Sequence, residues 1–220
     1  MIFRLDERIL FPDPELAEED GLLALGGDLS PERLLLAYSN GIFPWYSDDS
    51  PILWYSPHER FVLYPGELKI SKSMRQVIRS GKFRVTFNTA FADVISNCAQ
   101  AERIDQDGTW ITNDMQQAYI KLHQLGYAHS VEVWQNDELA GGLYGIPVGN
   151  VFCGESMFSK VSNASKLALI TLCQTTTYQM IDCQVYTDHL SSLGAKMIDR
   201  ADYLEILKRQ LSHPVPPSGG

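Results

Sequence analysis

The stretch from Leu139 to Phe158, LAGGLYGIPVGNVFCGESMF, constrains the fold more than any other part of the chain. The uncharged run Leu139–Gly154 falls short of the roughly 20 apolar residues a membrane helix needs, and Gly and Pro interrupt it. With a turn at Gly149-Asn150 it reads instead as two antiparallel strands, Leu139–Val148 and Val151–Phe158. Its glycines are strand positions that allow close approach by another backbone or a ligand. One carboxylate, Glu155, stands in this apolar run, where an ionised group is costly unless matched. The segment Ile181–His189 (IDCQVYTDH) repeats the pattern, with Asp182 and Gln184 on a β-rich stretch. Two acids and an amide inside core-like sequence mark these segments as the expected reaction site.

At 220 residues and 45% hydrophobic composition, the chain can bury one large core or divide into a small and a larger domain. The N-terminus carries acids and lacks an apolar core, which argues against a secretory signal and for a cytoplasmic protein. Cys98, Cys153, Cys173 and Cys183 form no CxxC pair and sit among apolar neighbours, so buried reduced thiols are expected. His123, His129, Cys183 and His189 have no metal-ligand spacing; no zinc and no other cofactor is expected.

The net charge of −9 argues against nucleic-acid binding, but its distribution does not. Lys69, Lys72, Arg75, Arg79, Lys82 and Arg84 succeed one another without an acid; removing these six from 18 basic residues leaves 12 against 27 acids elsewhere. Lys72, Arg75 and Arg79 fall on one face of a helix, with Met74, Val77 and Ile78 on the buried side. Such a stripe holds a phosphate backbone locally, or is a solvated helix face.

The first 60 residues read as a small separate domain and residues 61–220 as a larger one. Ser30-Pro31-Glu32 starts a helix that Gly41 ends. Further helices are expected from Asn88, from Asn113, over Ser165–Tyr178, over Leu190–Leu193 and from Tyr203, with strands at His129–Trp134 and Ile181–Tyr186. Trp45, Trp54 and Trp110 lie beside turn or loop signals; indoles so placed pack on a neighbouring element or stack on an unpaired base. Ser156, Asp182 and His189 occur in hydrolase order, but GESMF lacks the second glycine of a nucleophile elbow, and GGLYG lacks the context of a dinucleotide loop.

The ordered set GLLALGGDLSPERLLLAYSNGIFPWY, WYSP, GTWIT, AHSVEVW, GGLYG, FCGESMFS, NASK and IDCQV resembles the bacterial leucyl/phenylalanyl-tRNA–protein transferases from about Phe11 to about Tyr203. The resemblance implies an α/β (α+β) chain whose larger domain is acetyltransferase-like (GNAT-type), with a mixed, mainly antiparallel sheet. It implies transfer of Leu or Phe, and less well Met, from charged tRNA to proteins with N-terminal Arg or Lys, marking them for degradation by the N-end rule. By the same resemblance Trp45 and Trp110 stack on the terminal adenosine, and Leu143, Phe152, Met157, Leu169, Leu172 and Ile181 line the aminoacyl pocket. Glu155, Asp182 and Gln184 match the central polar residues. Tyr55 stands where many members have Trp, and Thr187 where Asn is common. A monomer is expected, with aminoacyl-tRNA and acceptor proteins as partners and no membrane.

An aminoacyl ester is already activated, so aligning an amine with its carbonyl and stabilising charge is the main task. Asp182, oriented through Gln184, accepts or relays the amine proton, or only fixes geometry. Glu155 holds the pocket by hydrogen bonds, or receives the acceptor's positive charge. Lys72, Arg75, Arg79, Lys82 and Arg84 are the expected phosphate contacts. The alternatives are a peptidoglycan-type aminoacyl transferase, a tRNA-binding module and an ester hydrolase.

Overall fold

The computed structural model describes residues 2–101, 111–176 and 178–212. In chain order the elements are β1 (Phe3–Leu5), β2 (Leu22–Gly26), α1 (Pro31–Ser39), β3 (Phe43–Pro44), β4 (Leu53–Tyr55), β5 (Glu59–Leu63), α2 (Lys72–Arg79), β6 (Arg84–Phe87), α3 (Phe91–Gln100), α4 (Asn113–Gln124), β7 (His129–Gln135), β8 (Glu138–Val148), β9 (Val151–Ser159), α5 (Ala164–Thr175), β10 (Met180–Asp182), α6 (Asp188–Ser192), β11 (Lys196–Asp199) and α7 (Arg200–Ser212). The first four strands make a small sheet in the order β1-β2-β4-β3. The other seven make a large one, β11-β5-β10-β9-β8-β7-β6, antiparallel except for the β9–β10 pair. This is the mixed α/β class expected, and the glycine-rich β8–β9 hairpin lies inside the large sheet. No helix among the described residues is long and apolar enough to cross a membrane.

Alternation along the strands divides the core in two. Val62, Tyr144, Ile146, Val151, Cys153 and Met180 pack with α1, α3, α4, α7 and the small sheet. Their neighbours Phe61, Leu63, Leu143, Phe152 and Ile181 pack with α5 and α6 on the other side. One core therefore joins the two sheets, and the second lies wholly on the large one.

Several boundaries differ from the expected ones for identifiable reasons. Asn88 does not open α3: it adopts φ 58° and extends the β7 pairing, with its Oδ1 accepting from the Ser130 amide at 2.9 Å. The buried Glu132 of β7 accepts instead from the amides of Thr89 and Ala90, at 3.4 Å each, and so caps α3 from a neighbouring strand. Thr112, not Asn113, caps α4, accepting from the Met115 amide at 3.2 Å. Helix α5 ends at Thr175 and α7 begins at Arg200. The strand read as Ile181–Tyr186 stops at Asp182, because the chain turns sharply at Gln184. On α2, Met74 is buried but Ile78 is 38% exposed, so the apolar side is narrower than its sequence implies. Trp54 is fully buried in β4 and donates to the Gly26 carbonyl at 2.9 Å, a packing role.

Candidate active site

The β8–β9 ladder contains one irregularity. Tyr144 faces Ser156 and Gly145 faces Gly154, leaving Glu155 with no residue opposite. A bulge of this kind inserts a residue into one strand and re-aims the side chains beyond it. Here it resets the alternation: Phe152 and Met157, five residues apart, both pack towards α5, whereas a regular strand would send them to opposite faces. Cys153, before the bulge, and Phe158, after it, share the other face. Only glycine fits at position 145, because a Cβ there would collide with the Cys153 carbonyl and the Phe152 ring.

On its other edge β9 pairs with β10 only through Val151, Phe152 and Cys153. The turn after Asp182 draws the chain away and opens a gap between the strands. A cavity of about 450 Å³ occupies it. Leu143, Phe152, Met157, Leu169, Leu172 and Ile181 all line this cavity, so the six apolar residues singled out in the sequence meet on one wall. Glu155, Asp182, Ser165, Cys183, Thr187 and His189 also border it. Cys183 is thus a wall residue rather than the fully buried thiol expected, while Cys98, Cys153 and Cys173 are buried.

The turn is stabilised by its own carboxylate. Asp182 Oδ1 accepts from the Gln184 amide at 2.9 Å, and the Val185 amide donates to the Cys183 carbonyl at 2.7 Å. Gln184, between them, adopts φ 61°, a left-handed conformation that a non-glycine residue holds only when its surroundings impose it. The remaining positions on Asp182 are filled by Arg60, whose Nε and Nη2 grip both oxygens, and by the Tyr203 hydroxyl at 2.7 Å. Arg60 and Asp182 are both buried. Burial, the largest influence, disfavours the guanidinium charge, but Asp182 together with Tyr203 and Cys153 outweighs it and the net effect holds Arg60 more firmly protonated.

The Gln184 side chain continues the network. Its Nε2 donates to Glu155 Oε1 at 2.6 Å, and Tyr119 donates to Glu155 Oε2 at 3.1 Å. The Tyr38 and Tyr119 hydroxyls share a short hydrogen bond. Burial raises the Glu155 carboxyl, the tyrosine hydroxyls lower it, the Asp182 charge raises it and the Gln184 amide lowers it, leaving it pushed up to about 7. A carboxylate here accepts only, so Gln184 must turn its NH2 towards Glu155 and its carbonyl oxygen away. That oxygen takes no hydrogen bond among the described residues.

Asp182, Gln184 and Glu155 therefore form one hydrogen-bonded chain, but Ser156, Asp182 and His189 do not form a hydrolase triad. Both Asp182 oxygens are occupied by Arg60, Tyr203 and the Gln184 amide. His189 Nε2 has no hydrogen-bond partner among the described residues, and burial together with the Lys166 charge lowers its basicity. Thr187 caps α6, accepting from the Leu190 amide at 3.2 Å. Sequence reasoning missed Arg60, Tyr38, Tyr119 and Tyr203. For Arg60 a signal existed, a lone cation opening the apolar run FVL; the tyrosines read as ordinary core.

Trp45 is 37% exposed and packs against Tyr55, ring centroids 5.9 Å apart. Trp110 lies outside the described residues. Lys72, Arg75 and Arg79 are exposed on α2. Lys82 and Arg84 are exposed beyond the helix, and Arg84 is drawn into an ion pair with Asp137 at 3.3 Å and lies 5.3 Å from the Trp134 ring.

Comparison with known proteins identifies the family. Family models match residues 62–208 (leucyl/phenylalanyl-tRNA protein transferase) and residues 27–58 (the N-terminal domain of the same family). A leucyl/phenylalanyl-tRNA–protein transferase of Syntrophobacter fumaroxidans is 56% identical over 97% of this chain and 93% of its own. One from Flavobacterium psychrophilum is 56% identical over 93% of this chain and 99% of its own. Among solved structures, a GCN5-related N-acetyltransferase from Kribbella flavida aligns with a TM-score of 0.37 and 7% identity, over 76% of this chain and 60% of that one. With two models of one family matched in succession along it and relatives more than half identical over nearly its whole length, the chain belongs to the leucyl/phenylalanyl-tRNA protein transferase family and is an aminoacyltransferase.

Proposed function

We propose that the protein transfers Leu or Phe, and less readily Met, from charged tRNA to the α-amino group of proteins beginning with Arg or Lys, in the cytoplasm and as a monomer, thereby marking them for degradation. The observation that carries this reading is the apolar cavity bordered by Leu143, Phe152, Met157, Leu169, Leu172 and Ile181, which Glu155 and Asp182, linked through Gln184, also border. The aminoacyl side chain fills the cavity, and its ester lies beside the amide of Gln184. The terminal adenosine stacks on Trp45, with Trp110 as the second face, and the acceptor stem rests on Lys72, Arg75 and Arg79, with Lys82 and Arg84 flanking.

The acceptor's α-amine attacks the ester carbonyl: a C–N bond forms, the C–O bond to the ribose breaks, and the ribose oxygen leaves as a hydroxyl carrying a proton. An α-amino group has a pKa of about 7.7–8.0, so a modest population is already neutral near pH 7. What remains is alignment, and the side-chain carbonyl of Gln184, turned away from Glu155, is suited to accept a hydrogen bond from the attacking amine. Asp182, with its oxygens committed to Arg60, Tyr203 and the Gln184 amide, acts by fixing that turn rather than as a base. Glu155 orients the Gln184 amide and supplies negative charge near a basic acceptor.

Leucyl-tRNA incubated with a peptide bearing N-terminal Arg tests the reading. Leucyl-peptide is expected. Free leucine instead would make the protein an ester hydrolase, and binding without either product would make it a tRNA-binding module.

A further inference from the structure

Arg60 lies in β5, between β10 and β11, and every nitrogen of its guanidinium is used. Nε and Nη2 hold the Asp182 carboxylate, and Nη1 donates to the Gly41 carbonyl at 3.0 Å. The group is also sandwiched, its central carbon 4.8 Å from the Phe43 ring and 4.6 Å from the Tyr203 ring. Gly41 and Phe43 bracket the entry to β3, which ends one residue before Trp45. Asp182 begins the turn that ends in the left-handed Gln184. One side chain thus touches the segment leading to the exposed indole, the carboxylate that fixes the turn and the C-terminal helix.

The backbone next to Arg60 holds the same turn. The Cys183 amide donates to the Phe61 carbonyl at 2.8 Å, and the Phe61 amide donates to the Gln184 carbonyl at 3.4 Å. These bonds keep the turn attached to β5 through the Phe61 backbone, and the Gln184 side chain is held separately by its bond to Glu155. The hydrogen bond from the Gln184 backbone amide to Asp182 Oδ1 fixes the left-handed backbone rotation that aims this side chain at Glu155, and it is only as well placed as the carboxylate itself. The forked, planar guanidinium fixes that carboxylate in two dimensions, which a lysine ammonium, a point charge on a flexible stem, does not.

We infer that Arg60 is a positioning residue for aminoacyl transfer: by clamping Asp182 to Gly41 and Phe43 it sets the turn carrying Gln184 and ties it to the small sheet. The inference rests on the function proposed above and deepens it. It assigns to the small sheet, through one buried cation, a part in the geometry of the reaction.

The test uses the full chain with 3′-O-leucyl-adenosine as donor and a peptide with N-terminal Arg as acceptor, measuring kcat, the KM of each substrate and thermal unfolding. In Arg60→Lys, which keeps the charge but loses the fork, kcat is expected to fall about 10- to 100-fold, the cost of a misplacement near 1 Å, with both KM values little changed. Tyr203→Phe, which removes one donor to Asp182 and keeps the ring under the guanidinium, is expected to lower kcat by a smaller factor in the same pattern. An Arg60→Lys protein that melts earlier but keeps the kcat of the native chain would overturn the inference and leave Arg60 a purely structural ion pair. If Arg60→Lys is not recovered folded, Tyr203→Phe decides: reduced kcat at unchanged KM supports the clamp, and unchanged kcat overturns it. Failure of the native protein to transfer leucine in this assay would strike instead at the proposed function.

Discussion

The two sides of the β9–β10 gap are built on opposite principles. Towards α1, α4 and α7 lies a buried polar chain in which Arg60, Asp182, Gln184, Glu155, Tyr119 and Tyr38 are joined by directional bonds. Towards α5 and α6 lies an apolar wall of Leu, Ile, Met and Phe. A polar network is intolerant, since removing one member strands its partners without water. An apolar wall tolerates change, since a methylene more or less is worth about 1–3 kcal/mol. Geometry of reaction and choice of side chain are therefore expected to fail separately.

The strongest way to break the contrast is Asp182→Ala. It leaves the buried Arg60 unpaired, a loss of about 3–5 kcal/mol in stability by urea unfolding, and it releases the Gln184 turn. Transfer is expected to fall about 100-fold while affinity for charged tRNA stays nearly constant. An equal fall in tRNA affinity would make Asp182 a binding residue.

Glu155→Gln sharpens the contrast through pH. The carboxyl is pushed up to about 7 in the folded chain, above its ordinary value of 4.5. Between these values the folded chain holds a proton that the unfolded chain releases, so this group's contribution to stability declines as pH rises through the window. Glu155→Gln is accordingly expected to melt higher than the native chain at pH 8, with the advantage fading near pH 5. Its transfer rate should drop about tenfold at pH 8, because a neutral amide no longer dictates which way Gln184 faces. Identical melting differences at both pH values would refute the assignment.

Effects on the ligand side are smaller. Trp45→Ala is expected to cost about 1–3 kcal/mol in binding of an aminoacyl-adenosine, read by titration, with the rate at saturation preserved. Phe152→Ala or Leu172→Ala should admit bulkier aminoacyl groups, and the native chain is expected to use Leu over Ile; equal use of the two would contradict a shape-selecting wall. Replacing Lys72, Arg75 and Arg79 together by Ala should flatten the salt dependence of tRNA affinity, and by similar factors for tRNAs of different sequence. An unchanged slope would return α2 to a solvated helix face.

Legibility in the sequence divides along the same line. The hairpin and the polar residues were legible because they keep or break a local period, Glu155 and Asp182 interrupting apolar runs, whereas the six wall residues came only through the resemblance of the ordered motifs to a known family. Arg60, Tyr38, Tyr119 and Tyr203 were not legible, because their roles depend on partners far away along the chain, from 21 positions for Tyr203 and Asp182 to 122 for Arg60 and Asp182. The end of β10 was hidden for a related reason: Gln184 adopts a backbone conformation its own side chain disfavours, held there by Asp182 and β5. The cap on α3 came from Glu132 on another strand, which no local cap signal announces.

The unmatched residue in β9 is an addition to the strand that its alternation does not need. Deleting position 155 would leave β8 and β9 free to pair residue for residue along their whole length, and the hairpin would lose nothing as a hairpin. Met157 would then stand four positions from Phe152 on one face and Phe158 four from Cys153 on the other, so both walls would keep their order and only the carboxylate that holds Gln184 would go. An aminoacyltransferase could thus be silenced by an edit that makes its central sheet more regular. Among relatives, a spacing one residue shorter between the glycine at 154 and the methionine at 157 should mark a sheet that has kept its wall and lost the carboxylate.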